Sequence, residues 1–173
     1  KDVKVKPEAA KAVGKVTLDN KDCRFEPHVA IVQVGQDFVV KNSDTVGHNS
    51  NIATVKNPPS NNLIPAGGET AIKFTSDEAV PAQVTCNIHP WMKGWLVVRP
   101  NPYGAVSKAD GTFEIKDVPV GEVELQYLIQ PGAVFGVHDR HHHFDAAIEV
   151  AAHPVGAADI HLLVATVGEP EES

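Results

Sequence analysis

Cysteine occurs only twice in the 173 residues, as Cys23 and Cys86, and methionine once, as Met92. Two cysteines admit at most one disulfide. No apolar run approaches the length that crosses a bilayer, so no membrane span is expected and the chain reads as soluble. No internal repeat recurs at a fixed period. Basic residues are scarce in the second half: residues 100–173 carry 3 Lys and Arg against 12 Asp and Glu, a net of −9, whereas residues 1–99 carry 12 against 10, a net of +2. Nucleic-acid binding needs clustered Lys and Arg to replace counterions. The acidic half has none to offer and the balanced half shows no basic patch, so no nucleic-acid partner is expected. The change in charge also marks a domain boundary near Arg99-Pro100, giving domains 1–99 and 100–173. No secretory leader is visible, and a chain that starts at Lys1 without Met is expected to be a processed product, periplasmic or otherwise exported.

What is present points to β-structure. Hydrophobic residues make up 42% of the chain, enough for one large or two small cores, and 13 Gly and 13 Pro punctuate short Val- and Ile-rich runs. Lys1 to Lys11 reads as a mobile arm or a poorly specified edge strand. Strands are expected at Gly14 to Leu18, Val29 to Val34, Phe38 to Lys41, Thr70 to Thr75, Ala82 to Thr85 and Trp95 to Val98. Turns are expected at Asp19 to Asp22, Gly35 to Asp37, Asn42 to Asp44 and Ile64 to Gly68. Asn57-Pro58-Pro59-Ser60-Asn61-Asn62 is read as a loop that no sheet can continue through. In the second half, Asp110-Gly111 signals a hairpin joining Ala105–Ser107 to Thr112–Ile115. Val118 to Gly121 reads as a further turn, with strands at Glu122 to Ile129, Ala146 to Ala151 and Ile160 to Ala165. Strands at this spacing predict an all-β chain of sandwiches or barrels.

The chemistry concentrates in Cys86-Asn87-Ile88-His89-Pro90-Trp91-Met92, where a thiol, an imidazole and a thioether stand three apart between two strand-like runs. Two imidazoles and a thiolate in a plane, with a distant thioether on the axis, form a blue-copper site, and this loop supplies all but one imidazole. A tight loop between strands can turn three side chains onto one ion.

With these residues, Cys86, His89 and Met92, the chain resembles the cupredoxins, small blue-copper electron carriers, and the short spacing is most like the amicyanin type. Phe25-x-Pro27, Gly35-Gln36-Asp37, Val39-x-Lys41-Asn42-Ser43-Asp44 and His48-Asn49 follow in the order seen in that family, so the resemblance runs over roughly Lys15 to Arg99. It implies a Greek-key β-sandwich, one type 1 copper held by His48, Cys86, His89 and Met92, and transfer of single electrons between redox protein partners, with no enzymatic activity. It implies that Asn49 ties the two ligand loops together by hydrogen bonds. It also implies that Pro65, Pro90 and Trp91 form an apolar collar around the His89 edge, where electrons enter and partners dock. The plainer readings are a surface-loop His48, a gap-filling core Met92 and core positions for Trp91 and Trp95. Cys86 could instead bridge Cys23, which would exclude it as a ligand. Cys23 and His28, beside Phe25 and Pro27, read as a buried free thiol and a hydrogen-bonded histidine.

The second half is similar to the transthyretin-like, carboxypeptidase regulatory-type β-sandwiches over Asp110-Gly111-Thr112-Phe113-Glu114-Ile115-x-x-Val118-Pro119-x-Gly121, which implies a structural or docking module. His138, His141, His142 and His143, with Asp139, Arg140 and Asp145, gather in what reads as one loop. Such a tract is a solvated loop or a second metal site. The second choice opens two alternatives to electron carriage: copper handling or sensing, or a redox enzyme with a second metal at 138–145.

Overall fold

The computed structural model describes residues 14–108, 112–118, 121–129, 136–144, 150–151 and 163–168, the backbone alone beyond residue 118. Lys1 to Lys11 therefore lies outside the described residues. All regular structure among the described residues is β, and the chain divides between Pro102 and Tyr103 into two units, a few residues past the expected Arg99-Pro100 junction.

The first unit is a sandwich of two sheets. Nine strands build it: β1 (Lys15–Lys21), β2 (Arg24–Glu26), β3 (Val29–Gln33), β4 (Asp37–Asn42), β5 (His48–Ala53), β6 (Ser60–Ile64), β7 (Glu69–Lys73), β8 (Ala82–Thr85) and β9 (Lys93–Arg99). One sheet has the order β2-β1-β4-β7, the other β3-β9-β8-β5-β6. The pairs β1–β4 and β3–β9 are parallel and the others antiparallel, so the chain crosses between sheets rather than meandering within one. Alternation decides which side chains face inward. Leu18, Phe38 and Val40 from one sheet, with Phe74 just past the end of β7, meet Val32, Ile52, Val84, Leu96 and Val98 from the other in one buried core. The Phe38 and Phe74 rings sit 5.8 Å apart at a tilt of 54°. Gly94 lets β9 pass close to β2, since a Cβ there would lie 3.1 Å from Phe25 Cβ and 3.2 Å from the His28 carbonyl.

Three strands differ from expectation. β5, His-Asn-Ser-Asn-Ile-Ala, is polar in sequence yet central in its sheet, and its Ser50 is fully buried. β6 includes Ser60, Asn61 and Asn62, which were expected in a loop; it is an edge strand, where one polar face meets water at little cost. β1 runs on through Asp19-Asn20-Lys21, and the turn falls instead at Asp22-Cys23, both at positive φ (53° and 52°), between the paired Lys21 and Arg24. A two-residue hairpin turn with both φ positive suits the right-handed twist of its strands but strains residues other than glycine.

The second unit has β10 (Gly104–Val106), β11 (Glu114–Ile115), β12 (Gly121–Ile129), β13 (Gly136–Phe144), β14 (Val150–Ala151) and β15 (Leu163–Gly168). They form an antiparallel sheet β10-β15-β12-β13 and a pair β11-β14. The expected hairpin is not a ladder: Lys108 N–H donates to the Thr112 carbonyl at 2.8 Å, but β10 pairs with β15 and β11 with β14. Asp110, Gly111 and the turn residues Pro119 and Val120 lie outside the described residues. The histidine tract forms strand β13 rather than a loop, with His141 opposite Glu124 and His143 opposite Glu122. The side chains of His138, His141, His142 and His143 lie outside the described ones, and with them the choice between a solvated tract and a second metal site.

Away from the 86–92 loop, Glu78 is buried and holds the 54–57 bend. Its carboxylate accepts the backbone N–H groups of Val55, Lys56 and Asn57 at 3.0 Å and the Asn57 Nδ2 at 2.9 Å. Burial pushes this carboxyl up, but the Asn57, Val55 and Lys56 donors outweigh it and hold it below its ordinary value of 4.5. A depressed folded-state value means stability present above the unfolded value and lost as pH falls through the folded one. Glu78→Gln should cost about 2 kcal/mol at neutral pH, as expected for hydrogen bonds to a charged acceptor. In urea unfolding the gap between variant and wild type should close progressively below the ordinary carboxylate value. A gap that stays constant into acid would contradict this account.

Candidate metal centre

The loop 86–92 joins β8 to β9. Thr85 pairs with Lys93 at the end of that ladder. One step beyond, Cys86 N–H reaches the Met92 carbonyl at 3.4 Å, and Met92 N–H donates to the His89 carbonyl at 2.9 Å. Cys86 and Met92 therefore stand opposite each other at the base of the loop, on one face of the ladder. That face is the inner one, which Ala82, Val84, Gly94 and Leu96 also occupy, and both side chains are buried, at 2% and 1% exposure.

His48 opens β5, where Ile64 pairs with it, and it is fully buried. Its Nδ1 lies 3.9 Å from Cys86 Sγ, and Nδ1 of the half-buried His89 lies 3.8 Å from the same sulfur. The two rings are 4.6 Å apart. One donor atom from each of His48, Cys86 and His89 falls within 4.8 Å of the others, a group able to hold a metal ion. Cys23 and Cys86 are both free thiols, so the alternative of a bridge between them is not what the structure holds.

Asn49 holds the loop from the neighbouring strand. Its Oδ1 accepts Asn87 N–H at 2.7 Å and Ile88 N–H at 3.3 Å, and lies 3.4 Å from the Cys86 thiol as donor, while its Nδ2 donates to Asn61 Oδ1 at 2.7 Å. On the other side, buried Asn42 shapes the approach to His48. Its Nδ2 donates to the carbonyls of Val46 and Ile64 at 2.8 and 2.9 Å, and its Oδ1 accepts Asp44 N–H at 3.0 Å. Asp44 then stands 2.7 Å from His48 Nε2. Partial burial pushes the Asp44 carboxyl up, but the N–H groups of Cys23 and Asp22 and the His48 ring outweigh it and keep it below the ordinary value. It is therefore an acceptor at neutral pH.

Around the His89 edge, Pro90 is exposed and Trp91 is 66% exposed, not core, its ring 5.2 Å from the His89 ring in an edge-on contact. Pro65 is exposed directly after Ile64. Val46 and Ile88 add exposed apolar side chains on the same two segments that carry the donors. Trp95 is half-buried and His28 exposed, while Cys23 is half-buried. Sequence reasoning missed Asp44 and Asn61. The carboxylate four residues before His48 was a usable signal for the first; nothing local marks the second.

No protein-family profile and no curated relative matches the chain. Solved structures do. A copper-containing nitrite reductase from Thermus scotoductus SA-01 is 26% identical over 49% of this chain and 22% of its own, with a TM-score of 0.44. The chain thus spans about a fifth of that enzyme's length. A proline-to-glycine mutant of amicyanin, in its reduced Cu(I) form, is 24% identical over 53% of this chain and 88% of its own, TM-score 0.43. A purple cupredoxin from Nitrosopumilus maritimus is 19% identical over 48% and 98%, TM-score 0.40.

The Asn49 bridge makes a direct prediction. Asn49→Ala leaves the Asn87 N–H and the Asn61 amide without their partner and should cost about 1–3 kcal/mol. Amide exchange at Asn87 and Ile88 should quicken beyond the global effect. Unchanged protection at those two amides would show that the loop is held by other means.

Proposed function

We propose that the chain is a one-electron carrier that holds a single copper ion between His48, Cys86, His89 and Met92. The observation that carries this reading is the convergence of two imidazole Nδ1 atoms, 3.9 and 3.8 Å from one sulfur, from separate segments, with His48 and Cys86 buried and His89 half-buried. The donor set fits copper. Thiolate and thioether suit Cu(I), imidazole suits both oxidation states, and hard cations such as magnesium or calcium want oxygen donors that this set lacks. The thioether of Met92 on the same face favours copper over zinc, whose structural sites use thiolate, imidazole and carboxylate. When bound, copper supplies a reversible one-electron couple.

The chain's own residues do the rest. Cys86 gives up its proton on binding an ion. Asn49 and the Cys86–Met92 closure hold the loop whether or not the site is filled, so little has to move between oxidation states. Four protein donors leave no position for a substrate, which favours a carrier over an enzyme. The half-buried His89 edge, with Pro90 and Trp91 exposed beside it and Pro65 after the strand opposite His48, offers an apolar surface for brief contact with a redox protein partner. Residues 100–173 are read as the transthyretin-like docking module, a reading supported by the antiparallel sheet β10-β15-β12-β13. The periplasmic location expected above belongs to the same proposal.

Titration of the metal-free chain with Cu(II) should give an intense visible charge-transfer band that saturates at one equivalent and bleaches with a mild reductant. Cys86→Ser should lose the band. A wild-type chain that stays colourless with excess Cu(II) would sink the proposal.

A further inference from the structure

The four histidines of β13 do not form one cluster. Residues alternate between the two faces of a strand, so His141 and His143 share one face and His138 and His142 the other. The register supplies their companions. His143 pairs with Glu122 and His141 with Glu124, and the next rung of that face sets Asp139 opposite Gln126. On the opposite face His142 pairs with Val123, Arg140 with Leu125 and His138 with Tyr127. Two imidazoles and two carboxylates therefore occupy two neighbouring rungs of one face. The other two histidines have apolar partners and an arginine between them.

We propose that the face of the β12–β13 ladder bearing Glu122, Glu124, His141 and His143 is a site for one divalent transition-metal cation of the zinc type. Directly opposed residues of an antiparallel ladder have Cβ atoms about 4.5–5.5 Å apart. Residues two apart on a strand lie about 6.5 Å apart. Four residues at the corners of such a rectangle are within reach of one ion, because Glu and His both carry their donor atoms well beyond Cβ and zinc takes nitrogen and oxygen at about 2.0–2.2 Å. A single Glu–His pair across a ladder is stabilising without an ion. Two such pairs stacked on one face, with Asp139 on the next rung, add donors and negative charge faster than that explanation needs. Among the described residues of this face, β15 sets Gly168 opposite Glu124 and Thr166 opposite Gln126, neither of them a cation. The balance of residues 100–173, 3 Lys and Arg against 12 Asp and Glu, also attracts a cation. The set has no sulfur to favour Cu(I), whereas imidazole and carboxylate suit zinc. β13 is the edge strand of its sheet, so an ion shared with β12 would fasten that edge. The site is independent of the copper reading, which concerns the 86–92 loop.

Equilibrium dialysis of the full metal-free chain against zinc tests it. His141→Ala/His143→Ala should bind one equivalent less than wild type, and His138→Ala/His142→Ala the same as wild type. Zinc taken up by the Cys86 loop is common to all three chains and cancels. Wild type that binds no more zinc than His141→Ala/His143→Ala would overturn the site. So would an equal loss in His138→Ala/His142→Ala, the mark of a general affinity of the tract. Glu122→Gln/Glu124→Gln should weaken the same binding, and an unchanged affinity would overturn the four-donor set. Should a variant fail to fold, imidazole NMR of wild type decides. Saturating zinc should move the His141 and His143 resonances and leave those of His138 and His142 in place; the reverse pattern, or all four moving alike, would overturn the site. None of these failures touches the copper proposal, whose visible band zinc does not give.

Discussion

The centre depends on how little slack the β8–β9 connection allows. Paired antiparallel strands lie about 4.8 Å apart. A link that leaves Thr85 and returns at Lys93 has its first and last residues facing each other across the ladder. The thiol and the thioether therefore reach the pocket because of backbone pairing, not because an ion gathers them. His89 then turns back over the pocket through the hydrogen bond from Met92 N–H to its carbonyl. Asn49, on a strand from the opposite side of β8, fastens the outer part of the loop. Preorganisation of this kind would keep the donors within the narrow tolerance that a metal site needs.

The other histidine arrives through a different economy. Asp22 and Cys23 sit at positive φ, which costs of order 1–3 kcal/mol for each residue that is not glycine. The same two residues supply N–H groups to a carboxylate, and hydrogen bonds to a charged acceptor are worth about 1.5–3 kcal/mol each. The strain and its compensation are of similar size, so the turn holds while Asp44 is in place. Local stability and ring orientation at His48 are in that sense one quantity.

The sequence was most legible where burial alternates or where residues carry unmistakable chemistry. Val29–Gln33, Asp37–Asn42 and Lys93–Arg99 announce themselves by Val and Ile content, and Cys86, His89 and Met92 by spacing. It was least legible where polar residues serve a sheet. His48–Ala53 contains two Asn and a Ser, yet runs inside its sheet because Asn49 bonds the 87–88 amides and Asn61 while Asn51 bonds Thr85, and only the small Ser50 alternates inward with His48 and Ile52. Ser60–Asn62 follows two prolines and still joins β5, because an edge strand needs only one partner. The Asp22-Cys23 turn was misplaced because Asp-Asn-Lys-Asp offers turn formers throughout, and the choice is made by Asp44, distant in sequence. The partnership of Asn49 with Asn61 likewise exists only once β5 and β6 pair.

Trp91 has a consequence of its own. It is one of two indoles in the chain. Its ring stands edge-on to His89, and its Nε1–H donates to the Cys23 carbonyl at 3.3 Å, so it touches the ligand loop and the strained hairpin together. An exposed fluorophore held at that junction is an intrinsic optical gauge. A change at the His89 ring or in the hairpin would alter the surroundings of that indole, so its emission would report either one with no label attached to the protein.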